Sequence, residues 1–108
     1  MIRSMLAILG GVLLCVTGVA ATPERGQQVF AAQKCSMCHS VAGKGNPKGA
    51  LDGVGTRYKP AELRQWIVSS TEMAAKHKAT RTPAMKDFTK LPPADVDALV
   101  EYLATLKK

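Results

Sequence analysis

Aromatic residues are scarce in this chain of 108 residues, where Phe, Tyr and Trp together make up 5% of the sequence. A core built from side chains alone would therefore be thin. Three cysteines are too few for the disulfide framework that stabilises many small secreted domains. The length excludes a two-domain enzyme, because one domain usually takes about 100 to 200 residues. These shortages favour a domain that is stabilised by a bound cofactor.

The first segment has the features of an export signal. Arg3 precedes an apolar run over 5–21 that ends in small residues, which predicts a secretory signal peptide over 1–21 and cleavage after its last residue. The run has 17 residues, fewer than the roughly 20 that span a bilayer as a helix, and Gly10 and Gly11 weaken a helical anchor. An uncleaved membrane tether is the alternative. Export places the protein in an oxidising compartment.

Acidic side chains are also few, with 8 Asp and Glu against 15 Lys and Arg, and the net charge is +7. This balance indicates an acidic partner, substrate or surface. Nucleic acid is a poor candidate, because the chain is predicted to be exported and lacks a basic stripe interleaved with aromatic side chains.

The remaining residues, 22–108, predict one all-α domain. Helical patterns cover 22–33, 60–70 and 93–106, and each begins beside a proline, which suits the first turn of a helix. No strand pattern or internal repeat appears. We therefore expect three main helices.

Two long loops separate these helices. The stretch 43–57 holds five glycines, and 71–90 shows little periodicity and reads as ordered but irregular. Long loops bury little surface and cost conformational entropy, so they are unfavourable in a small domain. We expect a bulky group to fill the centre.

The motif Cys35-Ser36-Met37-Cys38-His39 places two thiols and an imidazole at i, i+3 and i+4, so one helical turn projects all three to one side. This spacing predicts covalent attachment of haem c, in which each thiol adds to a vinyl group and His39 binds the iron. A disulfide between the cysteines would leave the neighbouring His and the long loops unexplained. Half of a zinc site is a further alternative, for which His77 is the other strong ligand in the sequence.

A second axial ligand must come from elsewhere in the chain, and the candidates are Met73, His77 and Met85. Met85 is the best placed, because Pro83 stiffens the loop before it and a helical segment follows. His77 lies between two lysines, which is typical of a solvated surface. Either Met could instead pack in the core.

Over 22–107 the sequence resembles the class I monohaem cytochromes c of the small bacterial type. Gly26 and Phe30 match the family's residues that pack against an aromatic of the last helix, here Tyr102. The stretch 51–57 resembles the loop beneath the proximal ligand.

The resemblance implies a small cytochrome c-like fold around one covalent haem, with His39 as proximal and Met85 as distal iron ligand. It also makes Arg57 and Trp66 candidates to contact the haem propionates, with Tyr58 a weaker one, although an exposed cation and a core aromatic would look the same. The family's loop usually has a proline whose carbonyl accepts from the proximal His, and Gly49 stands there instead. This departure leaves the acceptor for His39 open.

His and Met ligation leaves no open iron position, so we expect a one-electron carrier and not an enzyme. A periplasmic protein of this kind would dock briefly with acidic redox partners at an exposed haem edge, and would meet a membrane only through redox complexes or an uncleaved leader. The lysines expected near that edge are Lys34, Lys44, Lys48, Lys76, Lys78, Lys86 and Lys90. The alternatives are a haem sensor or catalytic subunit with a labile sixth ligand, and a dedicated electron-transfer subunit of a larger oxidoreductase.

Overall fold

The structure is a computed structural model that describes residues 10–12 and 20–108. Most of the predicted signal peptide lies outside these residues, and its cleavage stays a prediction. None of the helices in the described part of the chain has both the length and the apolar character needed to span a bilayer. The regular elements found there are α1 (Pro23–Ala32), β1 (Ser40–Val41), β2 (Lys44–Gly45), α2 (Val54–Arg57), α3 (Pro60–Val68), α4 (Ser70–Lys76) and α5 (Pro93–Ala104).

The all-α prediction is confirmed, and the three predicted main helices correspond to α1, α3 and α5. Each of these helices has a proline at its first position, where the missing N–H costs nothing. At the start of α1 the Thr22 hydroxyl accepts from the N–H of Arg25 at 3.1 Å. α5 ends slightly before the predicted boundary at residue 106.

The largest helix contact joins α1 to α5. Gly26 allows the two backbones to approach, because a Cβ there would collide with the Ala98 carbonyl and the Tyr102 side chain. Beside it, Phe30 and Tyr102 meet edge to face with ring centroids 5.8 Å apart. This crossing agrees with the pairing that the family resemblance implied.

α3 also packs against α5 and completes the helical frame. Its apolar stripe buries Leu63 and Ile67, and α5 contributes Val96, Leu99 and Leu103 to the same cluster. The core is therefore a thin layer between three helices, as the low aromatic content led us to expect.

A small hairpin, which the sequence pattern missed, leads into the first predicted loop. β1 and β2 pair antiparallel through a tight turn in which Ala42 and Gly43 both have positive φ, 51° and 79°. The Asp52 carboxylate accepts from the N–H of Ala42 at 2.9 Å. Two residues per strand are too few to show alternation, so no sequence pattern could indicate them.

One turn of helix, α2, also lies inside the segment predicted to be a loop. Gly53 precedes it with φ 80°, and the N–H of Gly55 donates to the Leu106 carbonyl at 2.8 Å. A hydrogen bond to Leu106, near the C-terminus, thus fixes the conformation of a backbone segment that Gly53 and Gly55 would otherwise leave flexible. The expectation that 43–57 is wholly non-helical was wrong for this reason.

The prediction of irregular structure over 71–90 was wrong at its beginning, where α4 forms. This short helix buries only Ser70 and Met73, so it leaves no periodic hydrophobic signal in the sequence. The Asp87 carboxylate accepts from the N–H of Thr71 at 2.8 Å and caps the helix from a distance. The rest of the stretch is irregular, as predicted.

Replacing Gly26 should destabilise the fold. In Gly26→Ala the new methyl group meets backbone of α5 and forces α1 away, and overpacking of this kind costs about 1 to 3 kcal/mol. Guanidinium unfolding measures the loss. Gln27→Ala, an exposed change on the same helix, is the control and should leave stability within about 0.5 kcal/mol. Equal stability of Gly26→Ala and the wild type would contradict the close helix crossing.

Candidate functional site

An apolar cavity of about 220 Å³ lies inside the frame of α1, α3 and α5. The three helices supply apolar walls, and the loops close the remaining sides with α2. Five of the six residues predicted for the site line this cavity, namely Cys35, His39, Arg57, Trp66 and Met85.

The Cys-x-x-Cys-His motif forms a tight turn at the edge of the cavity. Residues Cys35–Met37 make a single 3₁₀ turn, and the Cys35 carbonyl accepts from the N–H groups of Cys38 and His39 at 3.1 and 2.9 Å. Burial raises the pKa of the Cys35 thiol, with its own backbone opposing this change. The two thiols are not joined as a disulfide.

Cys38 is exposed and faces an adjoining surface cleft, so it is the one predicted residue outside the main cavity. We call this cleft the Cys38 cleft. It is lined by Met37, Cys38, Asn46, Lys48, Arg81, Thr82 and Pro83. The motif thus lies between the apolar interior and a cationic surface.

The acceptor for His39 is the carbonyl of Gly49 itself, which lies 3.0 Å from Nδ1. The family's proline is therefore not required, since the backbone at this position supplies the same group. This hydrogen bond places the ring proton on Nδ1 and leaves Nε2 free to bind a metal. Burial lowers the pKa of His39 and the Arg81 cation acts in the same direction, while the Gly49 carbonyl opposes both. The imidazole is kept neutral, as a metal ligand must be.

Gly49 also provides space that a side chain would fill. A Cβ at this position would collide with the Cys38 carbonyl and with the guanidinium of Arg81. Arg81 comes from the loop that leads to Met85, so this loop contacts the turn that carries His39 through the bare backbone of Gly49. Sequence reasoning did not single out Arg81, because nothing local links it to a residue more than thirty positions earlier.

Of the three candidates for a second axial ligand, only Met85 lines the cavity. Met73 is 4% exposed and packs in the core. His77 is exposed and packs against Trp66 and Tyr58, with ring centroids 5.5 and 6.1 Å away. Among the described residues, no group of three or more His, Cys, Asp or Glu could hold a metal ion, and the zinc alternative therefore finds no support there.

Trp66 has a buried hydrogen-bond donor that is not paired within the described residues. Its indole Nε1 is buried and has no hydrogen-bond partner among the residues that the structure describes. Buried donors are almost always paired, so this one indicates an acceptor that enters with a ligand. Arg57 lies at the same cavity, where its guanidinium reaches the Asp52 carbonyl at 3.4 Å.

The family model described as Cytochrome c matches residues 23–107. The chain belongs to the cytochrome c family. No significant match was found among curated proteins or among solved structures. Membership implies one covalently bound haem c with its iron, and a single haem suits a domain of this size.

The residues that line the cavity of this cytochrome c fit a haem group. Its walls are apolar, as the porphyrin faces require, and the orphan N–H of Trp66 matches a carboxylate at the haem periphery. His39 offers a neutral imidazole, and Cys35 offers a half-buried thiol from the adjacent turn. These residues would hold the haem from the side of the cavity where the Cys-x-x-Cys-His turn lies.

Adding a side chain at Gly49 should disturb the site of this cytochrome c. In Gly49→Val the new side chain displaces Arg81 or moves the Cys38 carbonyl, and the His39 acceptor shifts with it. We expect a lower yield of covalent haem and a loss of about 1 to 3 kcal/mol in stability. Pyridine haemochrome spectra and guanidinium unfolding measure the two effects.

Ala50→Val, at an exposed neighbouring position, is the matched control and should behave as the wild type. A Gly49→Val protein with normal haem yield and stability would show that this position tolerates a side chain.

Proposed function

We propose that this cytochrome c is a one-electron carrier whose haem iron is bound by His39 and Met85. The observation that supports this ligation is that Met85 lines the same cavity as His39, whereas Met73 and His77 do not. Haem iron supplies a one-electron couple, and a Met ligand with His raises its reduction potential. Two protein ligands would leave no position for a substrate, which favours a carrier over an enzyme.

The remaining site residues have distinct tasks in this proposal. Cys35 and Cys38 bond covalently to the haem, so an exported protein would not lose it. Trp66 donates its buried N–H to a propionate, and Arg57 at the same cavity supplies a positive charge for a carboxylate. The apolar walls exclude water, which keeps reorganisation small when the charge of the iron changes.

The Cys38 cleft is the surface through which we expect electrons to pass. It combines the cations of Lys48 and Arg81 with Met37, an apolar side chain that is 69% exposed beside the covalent attachment point. An apolar contact within a positive rim suits brief docking of acidic redox proteins. Periplasmic location, with signal cleavage or a retained membrane tether, belongs to the same proposal and follows from the leader.

Removing the Met85 thioether tests the ligation. Ferric wild-type protein should show the Met-to-iron charge-transfer band, and Met85→Ala should retain covalent haem, lose this band and bind CO when reduced. Met73→Ala should keep the band, although deleting a core side chain costs about 2 to 5 kcal/mol. His77→Ala should also keep it. Rapid CO binding by the reduced wild type would instead favour a sensor or a catalytic haem.

Reversing a charge in the Cys38 cleft tests the docking surface. Lys48→Glu should slow reduction of hexacyanoferrate(III), an anionic oxidant, several-fold at low ionic strength, because the local attraction becomes repulsion. The difference should fade at high salt, where screening removes it. Stopped-flow rates over a salt series make the comparison.

Lys107→Glu is the matched control, since it changes the net charge equally but lies beyond the end of α5. Equal slowing by both substitutions would show that the total charge and not the Cys38 cleft controls the rate.

A further inference from the structure

The segment that carries Met85 has no helix or strand of its own, yet four hydrogen-bond contacts join it to the junction of α3 and α4. The N–H of Phe88 donates to the Ile67 carbonyl at 2.9 Å, at the end of α3. At the start of α4 the hydroxyl of Ser70 lies 3.0 Å from the Met85 carbonyl and 2.8 Å from Oδ1 of Asp87.

Asp87 joins this junction through its carboxylate. The same Oδ1 accepts from the N–H of Thr71 at 2.8 Å, so one carboxylate oxygen lies within hydrogen-bond distance of both Ser70 and Thr71. Asp87 is therefore a charged acceptor that binds two donors at the beginning of α4. Hydrogen bonds to a charged group are stronger than those between neutral groups of the same exposure.

Ser70 is fully buried, with 0% of its surface exposed. Its hydroxyl has one proton, so it donates to either the Met85 carbonyl or the Asp87 carboxylate at a given moment. Water does not reach the hydroxyl to replace it, and its loss would leave both acceptors without this donor. Serine is mostly exposed in proteins, and a buried hydroxyl is normally hydrogen-bonded. The contacts to Met85 and Asp87 supply the hydrogen bonds of this buried hydroxyl.

We infer that Ser70 and Asp87 are positioning residues that hold the Met85 backbone against α4, so that the thioether stays at the iron. The inference rests on the proposed ligation by Met85. A thioether is an uncharged and weak electron-pair donor, so a Met ligand on a segment without regular structure depends on the protein to keep it in place. Hydrogen bonds to ligand-bearing segments commonly supply that support.

The consequence is a measurable competition at the iron. An external ligand binds only to the fraction of molecules in which Met85 has left, so its apparent affinity rises in proportion to that fraction. Losing one hydrogen bond to a charged or buried partner should increase this fraction on the order of tenfold. Imidazole is a suitable probe, because it binds ferric haem when the sixth position opens.

Ser70→Ala and Asp87→Ala in the haem-loaded protein test the inference. We expect both to keep the Met-to-iron charge-transfer band without imidazole and to bind imidazole about tenfold more tightly than the wild type. Asp87→Asn keeps an acceptor oxygen but loses the charge. The affinity of this variant for imidazole should lie between that of the wild type and that of Asp87→Ala. This graded order is an effect that general destabilisation does not produce.

Asp95→Ala is the matched control. It removes a carboxylate that accepts from Arg25 at 3.1 Å where α1 meets α5. The change should therefore lower stability at a place that does not touch the Met85 segment. Its imidazole affinity should equal that of the wild type. Unchanged affinity in Ser70→Ala and Asp87→Ala, or an equal rise in Asp95→Ala, would overturn the inference. Absence of the charge-transfer band from the wild type would instead overturn the ligation by Met85.

Discussion

The fold depends on an apolar cavity that its own side chains do not fill. α1, α3 and α5 make a frame with a thin core, and an apolar cavity of about 220 Å³ lies within it. Close packing is what stabilises protein interiors, so a frame with such a space gains most when a large apolar group occupies it. Haem c, which family membership implies, is such a group. The fold is therefore stable together with the cofactor. The shortage of aromatic residues in the sequence agrees with this, because the cofactor supplies bulk that large side chains would otherwise provide.

Because the centre belongs to the cofactor, the loops that enclose it cannot rely on side-chain packing alone. They are also held by hydrogen bonds to the helical frame. Gly55 bonds the Leu106 carbonyl beyond α5, and Phe88 bonds the Ile67 carbonyl at the end of α3. Asp87 does the same at α4. These contacts keep irregular backbone in fixed places, which lets loops in so small a domain carry functional residues.

Local signals predicted the parts of the molecule that local chemistry determines. Proline marked the beginnings of the main helices, and the motif at 35–39 identified the turn at the cavity. Met85 was selected from three candidates on its neighbours, and it lines the cavity. The short helices α2 and α4 were missed because contacts from Leu106 and Asp87, distant in sequence, help to hold them. The acceptor for His39, which is the Gly49 carbonyl, could not be predicted for a related reason. Any backbone carbonyl can accept a hydrogen bond, and the sequence does not show which one lies nearby.

The surroundings of His39 combine two effects that act in the same direction. Burial and the Arg81 cation both disfavour an added positive charge on the imidazole, and only the Gly49 carbonyl opposes them. Oxidation of an iron bound to that imidazole would add positive charge to the same region. The features that keep His39 neutral would thus also favour the reduced iron, and so would the thioether in the proposed ligation. Arg81 also lines the Cys38 cleft, so in the proposed function one guanidinium would act both on His39 and on the approach of an acidic partner.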